Sequence, residues 1–314
     1  MRRAAVCILI CVLVAVADGQ ACDQQCRQAQ RAVLARLYDA LGGPQWRRSA
    51  GWPAAPDHCT WAGVACCGAA AAGAVPSACG PEGAVAALEL PLNGLVGELP
   101  ADAFAGLEPA LETLNLFGNQ IAGPLPPSLA ALRKLRRLLV NGNALTGPLP
   151  AALGALPLLE EFDFSGNLLT GAVPPSFASS PALRVLRGAR NRVAALPDGL
   201  LAARALEVLD FSSNRLAGPL PLAAAAAGAG NASSGTSPAL GGRRPLTELN
   251  LRGNALTGAV PPALAALPAL VLDLGANRLG GQLPGSFVGN AALREVWLDG
   301  NQLEGPLPQN GFIG

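Results

Sequence analysis

A single template, L-x-x-L-x-L-x-x-N-x-L-x-G-x-V-P, recurs nine times between Val85 and Pro308 and is clearest at Leu246–Pro261, LTELNLRGNALTGAVP. Its asparagines are Asn93, Asn119, Asn143, Asn167, Asn191, Asn214, Asn254, Asn277 and Asn301. The steps between them are 26, 24, 24, 24, 23, 40, 23 and 24 residues. A fixed period near 24 residues constrains the fold more than any other feature. Each period supplies one small unit that cannot bury its apolar side alone, so the units must stack.

Every template position has a physical reason. In Leu249-Asn250-Leu251 the alternation puts both leucines on one side of a short strand and Asn250 on the other. Asn254 follows at the bend, where an amide can both donate to and accept from backbone groups, so a column of asparagines can satisfy a buried turn. Gly258 suits a backbone conformation or a close approach that a Cβ would hinder. Val260 buries one more residue, and Pro261 fixes the next φ while removing a donor. The fold class is therefore an α/β solenoid: a right-handed leucine-rich-repeat superhelix of about nine repeats of roughly 24 residues, with a curved parallel sheet.

Gly-x-Leu-Pro after N-x-L resembles the plant-type extracellular leucine-rich repeat, found in receptor kinases, receptor-like proteins and polygalacturonase-inhibiting proteins. The string Cys59-Thr60-Trp61-Ala62-Gly63-Val64-Ala65-Cys66 is similar to the N-terminal cap of that class. The resemblance extends from Asp57 to Pro308 and implies an N-terminal disulfide cap with a bridge between Cys59 and Cys66. Caps of the class often have a second bridge, from the chain start to an adjacent Cys-Cys pair. Here the double cysteine is Cys66-Cys67, at the other end of the string.

Three regions are expected: a signal peptide at 1–19, a cap at 20–84 and the solenoid at 85–314, with a low-complexity loop at 223–244. Met1-Arg2-Arg3 precedes an apolar run from Ala4 to Ala17 ending in Ala15-Val16-Ala17, the form of a secretory leader. Export gives a secreted or cell-surface protein; the alternative is a chain tethered by an uncleaved anchor, although the run is short for a span of about 20 residues. In the cap, Leu34, Leu37, Tyr38 and Leu41 form a helical stripe stopped by Gly42-Gly43. Of eight cysteines, Cys7 and Cys11 leave with the leader. Cys22, Cys26, Cys59, Cys66, Cys67 and Cys79 remain, an even number that points to disulfides in an exported chain. A zinc site using Cys22-x3-Cys26 is the competing reading, disfavoured by export and by the single histidine, His58.

Two repeats are irregular. The coil of Asn191 has Ala195 where the template has glycine, and the 40-residue step carries AAAAAGAGNASSGTSPALGGRR, Ala223 to Arg244. That segment reads as a flexible spacer holding one glycosylation sequon, at Asn231.

Formal charge is +1 and only 14% of residues are charged, which argues against a nucleic-acid partner. With His58 in the cap, no Ser-His or Cys-His pair can be built on the repeats. The chain is read as non-catalytic, needing no cofactor. Function then falls to the outward positions of the concave sheet, where residues in adjacent coils are close neighbours. Asp163, Arg187 and Asp210 form one acid-base-acid row, either neutralising each other or using Arg187, with Arg190 and Arg192, to receive a carboxylate or sugar acid. Arg252, Asp273, Glu295 and Asp299 surround Trp297, an aromatic placed where a small polar residue would suffice, so it marks either a ligand contact or a residue covered by Phe312. The reading is a recognition module for a protein, peptide or cell-wall carbohydrate. An inhibitor of a secreted cell-wall-degrading hydrolase and a structural scaffold are the alternatives. The final coil has only Gln309–Gly314 after it, so the expectation is either a truncated product whose cap is missing or self-association through that coil.

Overall fold

The computed structural model describes residues 21–68, 80–220, 246–266, 271–289 and 293–306. The leader at 1–19, the spacer at 223–244 with Asn231, Cys79 and the segment holding Phe312 lie outside the described residues. The chain divides into two compact units, Met1–Ala144 and Leu145–Gly314.

The first unit begins with helix α1, Gln24–Ala40. Asp23 caps it, accepting the Cys26 amide at 2.7 Å. Val33, Leu34 and Leu37 are buried along one face, and the helix ends where Gly42 turns left-handed at φ 69°. Tyr38 meets Trp46 edge-on at 5.0 Å, Trp46 meets Trp52 at 5.1 Å, and Trp52 meets Trp61 at 4.8 Å. Each indole N–H donates to a cap carbonyl (of Leu41, Ala62 and Ala55 respectively), so no buried indole donor is left unpaired.

Strand β1, Val64–Cys66, pairs antiparallel with β2, Val85–Glu89. Strands β4, Thr113–Asn115, and β6, Arg137–Leu139, continue from β2 in parallel. On the other side of the coils β3, Val96–Glu98, pairs with β5, Gln120–Pro124. Gln30 of α1 is completely buried and joins cap to coil: Val85 N–H donates to its Oε1 at 3.1 Å, and its Nε2 donates to Gly106 O at 3.2 Å.

Cys59 and Cys66 are bridged, as the family resemblance implies. Cys22, just before the helix, is bridged to Cys26 in its first turn, and Cys67 is disulfide-bonded as well. The zinc reading of Cys22 and Cys26 therefore fails, because a disulfide sulfur is not a thiolate ligand.

The second unit carries six parallel strands in sequence order: β8, Glu161–Asp163; β10, Val185–Arg187; β12, Val208–Asp210; β14, Glu248–Asn250; β16, Val271–Asp273; and β18, Glu295–Trp297. In the first five the central residue is buried and its two neighbours are half-exposed, the pattern the leucine alternation requires. The pairing of β12 with β14 keeps Leu209 opposite Leu249, so the insertion after Asn214 leaves this ladder continuous.

A second ladder runs through β7, Ala144–Pro148; β9, Leu168–Ala172; and β11, Arg192–Ala195. It resumes with β13, Ala217–Gly218; β15, Ala255–Ala259; β17, Arg278–Gln282; and β19, Gln302–Glu304. The interruption falls between β11 and β13, and the register of β11 slips between Val193 and Ala195. The equivalent glycine elsewhere is left-handed, as at Gly258 (φ 82°). A Cβ there would meet nothing within 4 Å, so glycine is required by its dihedral and not by crowding. Ala195 does not enter that region, and the ladder breaks in its coil.

The same coil shows a second compensation. Its template leucine is replaced by Gly188, and the space is filled by Phe164 and Phe211 from the coils on either side, whose rings approach to 5.8 Å. A Cβ on Gly188 would collide with both.

The asparagine column works as an amide staple. Asn254 Nδ2 donates to Phe211 O in the coil before and to Leu251 O in its own coil, both at 2.9 Å, while its Oδ1 accepts Leu216 N–H at 3.0 Å. Asn191 and Asn277 repeat the arrangement. Asn93 has the cap in place of a preceding coil, and exchanges hydrogen bonds with Arg48 N–H and C=O at 2.6 and 3.1 Å.

Candidate ligand-binding face

Three columns of side chains stand on the outer side of the second unit's main ladder. The middle column places Asp163, Arg187, Asp210, Asn250, Asp273 and Trp297 in register on successive strands. The sequence reading therefore brings Asp163, Arg187 and Asp210 together correctly. Their pairing differs from that reading, because the ion pair of Arg187 is to Glu161, at 3.7 Å, on the flanking column. Asp163 and Asp210 make no ion pair among the described residues. Each turns one oxygen inward to accept the amide two residues on, from Ser165 and Ser212, at 2.9 Å. These contacts hold the carboxylates still with their remaining acceptors facing out.

Towards β18 the charges form a clamp. Arg252 donates through Nη1 and Nη2 to the two oxygens of Asp299 at 2.8 and 2.6 Å, and through Nη1 to Asp273 at 3.4 Å. Hydrogen bonding to Arg252 holds the Asp299 carboxyl below its ordinary value, and hydrogen bonding to Asp299 followed by the charge of Asp273 pushes the guanidinium upward. Gly275, between them on β16's coil, makes room: a Cβ there would collide with the guanidinium. Sequence reading had Arg252, Asp273 and Asp299 as neighbours but gave Gly275 no role.

Trp297 is 42% exposed, whereas Trp46, Trp52 and Trp61 are at most 6% exposed. Glu295, on the same strand, is exposed and makes no ion pair among the described residues. In the coil of β18 the stack loosens: Val296, Leu298 and Leu303 are only half-buried, while the corresponding Leu272, Leu274 and Leu279 are at most 1% exposed.

The one group of metal-ligand type among the described residues is His58 with Cys59 and Cys66, within 4.8 Å of one another. Both sulfurs are used in the disulfide. His58 is buried, its Nε2 has no partner, and burial lowers its pKa from 6.5. It packs edge-on to Trp61 and belongs to the cap, not to the sheet face. A recess lined by Ser179, Ser180, Ala203 and Arg204 lies among the 3-10 turns that connect the two ladders, off this face.

Stacked coils with one strand each, an asparagine column and a disulfide cap define a leucine-rich-repeat domain, and a leucine-rich-repeat family model matches residues 110–132, 158–180 and 245–267. The chain resembles the ectodomains of plant leucine-rich-repeat receptor kinases. It is 32% identical over 91 residues to the LRR receptor-like serine/threonine-protein kinase GSO2 of Arabidopsis thaliana, which is 26% of this chain and 7% of that protein. The crystal structure of PEPR1–AtPEP1 matches with a TM-score of 0.59 and 30% identity, over 69% of this chain and 28% of that one. The plant peptide hormone receptor RGFR1 in complex with RGF2 matches with a TM-score of 0.56 and 27% identity, over 68% and 40%. The chain thus spans less than half the length of these relatives. Its resemblance to ectodomains and its disulfide-stapled cap mark it as an extracellular domain. No described helix is long and apolar enough to cross a membrane.

Proposed function

We propose that the chain is a non-catalytic recognition module that binds a peptide or an extended protein segment on the outer face of the sheet, around Trp297, Asp273, Glu295 and Asp299. The observation carrying this reading is Trp297. A large aromatic is held exposed at the end of a middle column whose other members, from Asp163 to Asp273, are all polar, and there it can bury much area at little entropic cost. The similar structures, PEPR1 with AtPEP1 and RGFR1 with RGF2, are named as complexes, which supports a peptide as ligand. Carboxylates outnumber guanidiniums on this face, so an acidic cell-wall polysaccharide would be repelled, and Arg187 is engaged by Glu161. A secreted hydrolase would have to insert an extended loop along the same columns. Panning a nine-residue peptide display library on the secreted protein tests the reading. Retained peptides should shield Trp297 from acrylamide quenching, and failure to enrich any peptide over a Trp297→Ala, Asp273→Asn variant would reject it.

A second reading rests on a separate observation. The half-buried Val296, Leu298 and Leu303 leave apolar stacking surface at the last described coil, which supports self-association of the 314-residue chain through that coil. Light scattering that gives a concentration-independent monomer would reject it.

A further inference from the structure

The second unit is electrically neutral as a whole but not on its face. Residues 145–314 hold eleven acidic and eleven basic side chains. The three outer columns hold seven of those acids, Glu161, Asp163, Asp210, Glu248, Asp273, Glu295 and Asp299, against two bases, Arg187 and Arg252. Both bases are satisfied by acids of the same face. The excess is five negative charges, gathered on one surface.

The acids of the middle column are also regularly spaced. Asp163, Asp210 and Asp273 occupy β8, β12 and β16, every second strand. Strands in a sheet lie about 4.8 Å apart, so these carboxylates recur about every 9.6 Å. A polyproline-II segment repeats its facing side chain every third residue, with a rise of about 9.3 Å per turn. A β-strand presents the same face every second residue, about 6.7 Å, and falls out of step at once. Beyond Asp273 the column ends on Trp297, whose ring attracts a cation resting over it.

We propose, on the basis of the peptide-binding reading above, that the ligand is an extended, polyproline-II-like peptide with Lys or Arg at every third residue. Two of its cations sit on Asp163 and Asp210, and the third rests over the face of Trp297, beside the Asp273 carboxylate that Arg252 already holds at 3.4 Å. The peptide crosses the strands, and the half-turned carboxylates of Asp163 and Asp210, anchored through Ser165 and Ser212, accept its charges without rearrangement. Arg187 and Asn250 lie under the intervening residues, where no cation is required.

The test uses the whole secreted chain and two synthetic peptides of equal composition: (Pro-Pro-Arg)3, and Arg-Arg-Arg followed by six prolines. Fluorescence anisotropy should show the spaced peptide binding about tenfold tighter than the clustered one, with affinity falling as salt is raised. Asp210→Asn keeps the acceptor for Ser212 N–H and should weaken the spaced peptide about fivefold. Equal binding of the two peptides, or no loss in Asp210→Asn and Asp163→Asn, overturns the assignment. If the spaced peptide fails to bind while panned peptides without third-residue cations shield Trp297, the cationic assignment falls and the peptide-binding reading stands. If no peptide of any kind shields Trp297, both fall.

Discussion

Arg252 and Asp299, 47 residues apart, meet in a two-pronged ion pair of 2.8 and 2.6 Å across the empty position of Gly275. Both side chains are exposed, so solvent screens the pair and its effect on folding stability is small. Its effect is on the charge of the face. Arg252→Ala should leave the thermal midpoint nearly unchanged while tightening binding of (Pro-Pro-Arg)3, because the two carboxylates it neutralises are released. Weaker binding in that variant would show that Arg252 contacts the ligand itself. Gly275→Ala should disturb the clamp by steric exclusion and shift affinity in the same direction.

The asparagine column bears the stability of the turns. Asn277→Ala leaves Leu256 N–H without its acceptor and removes one of two amide donors from each of the carbonyls of Leu251 and Leu274, which keep Asn254 and Asn301. A buried orphan costs about 1–3 kcal/mol, so the variant should lose at least about 1 kcal/mol in urea unfolding. An unchanged midpoint would mean that water takes over the amide's contacts.

His58 sets an acid limit for the cap. Its folded pKa lies below the unfolded value of 6.5, chiefly through burial, partly opposed by Asp57. The unfolded chain therefore binds the proton more readily, and stability from a neutral His58 is present above pH 6.5 and lost as pH falls towards the folded value. Thermal melts should show His58→Phe losing less stability than the parent between pH 7 and pH 5. Parallel curves would remove His58 as the cause.

Much of this was legible in the repeats. Nine asparagines at a near-constant step define the coils, and their outward neighbours define the columns, because a strand's period of two leaves no freedom once the leucines are inside. The irregular coil of Asn191 was visible as Ala195. What that would do was not, since the second ladder breaks in a coil where Ala195 does not take the left-handed dihedral of the glycine it replaces. Gly188 was invisible for a different reason: its partners Phe164 and Phe211 are 24 and 23 residues away, and only stacking shows that they share its space. The Arg252 clamp was half legible, because register placed the charges side by side but a missing side chain at Gly275 decides their distance. Gln30 shows the same limit in the cap, where a polar residue on a helix turns out to be completely buried and paired at both ends.

Trp297 provides the most direct test of the proposed ligand-binding face. It is the exposed member of four tryptophans, the others being buried in the cap, so acrylamide quenching of the free protein reports on the face of β18. The quenchable fluorescence should vanish in Trp297→Ala and should be protected in the parent as peptide is titrated to saturation. Peptide that binds, leaves Trp297 fully quenchable and loses affinity with Arg187→Ala would contradict the account, placing the site on Arg187 and away from Trp297.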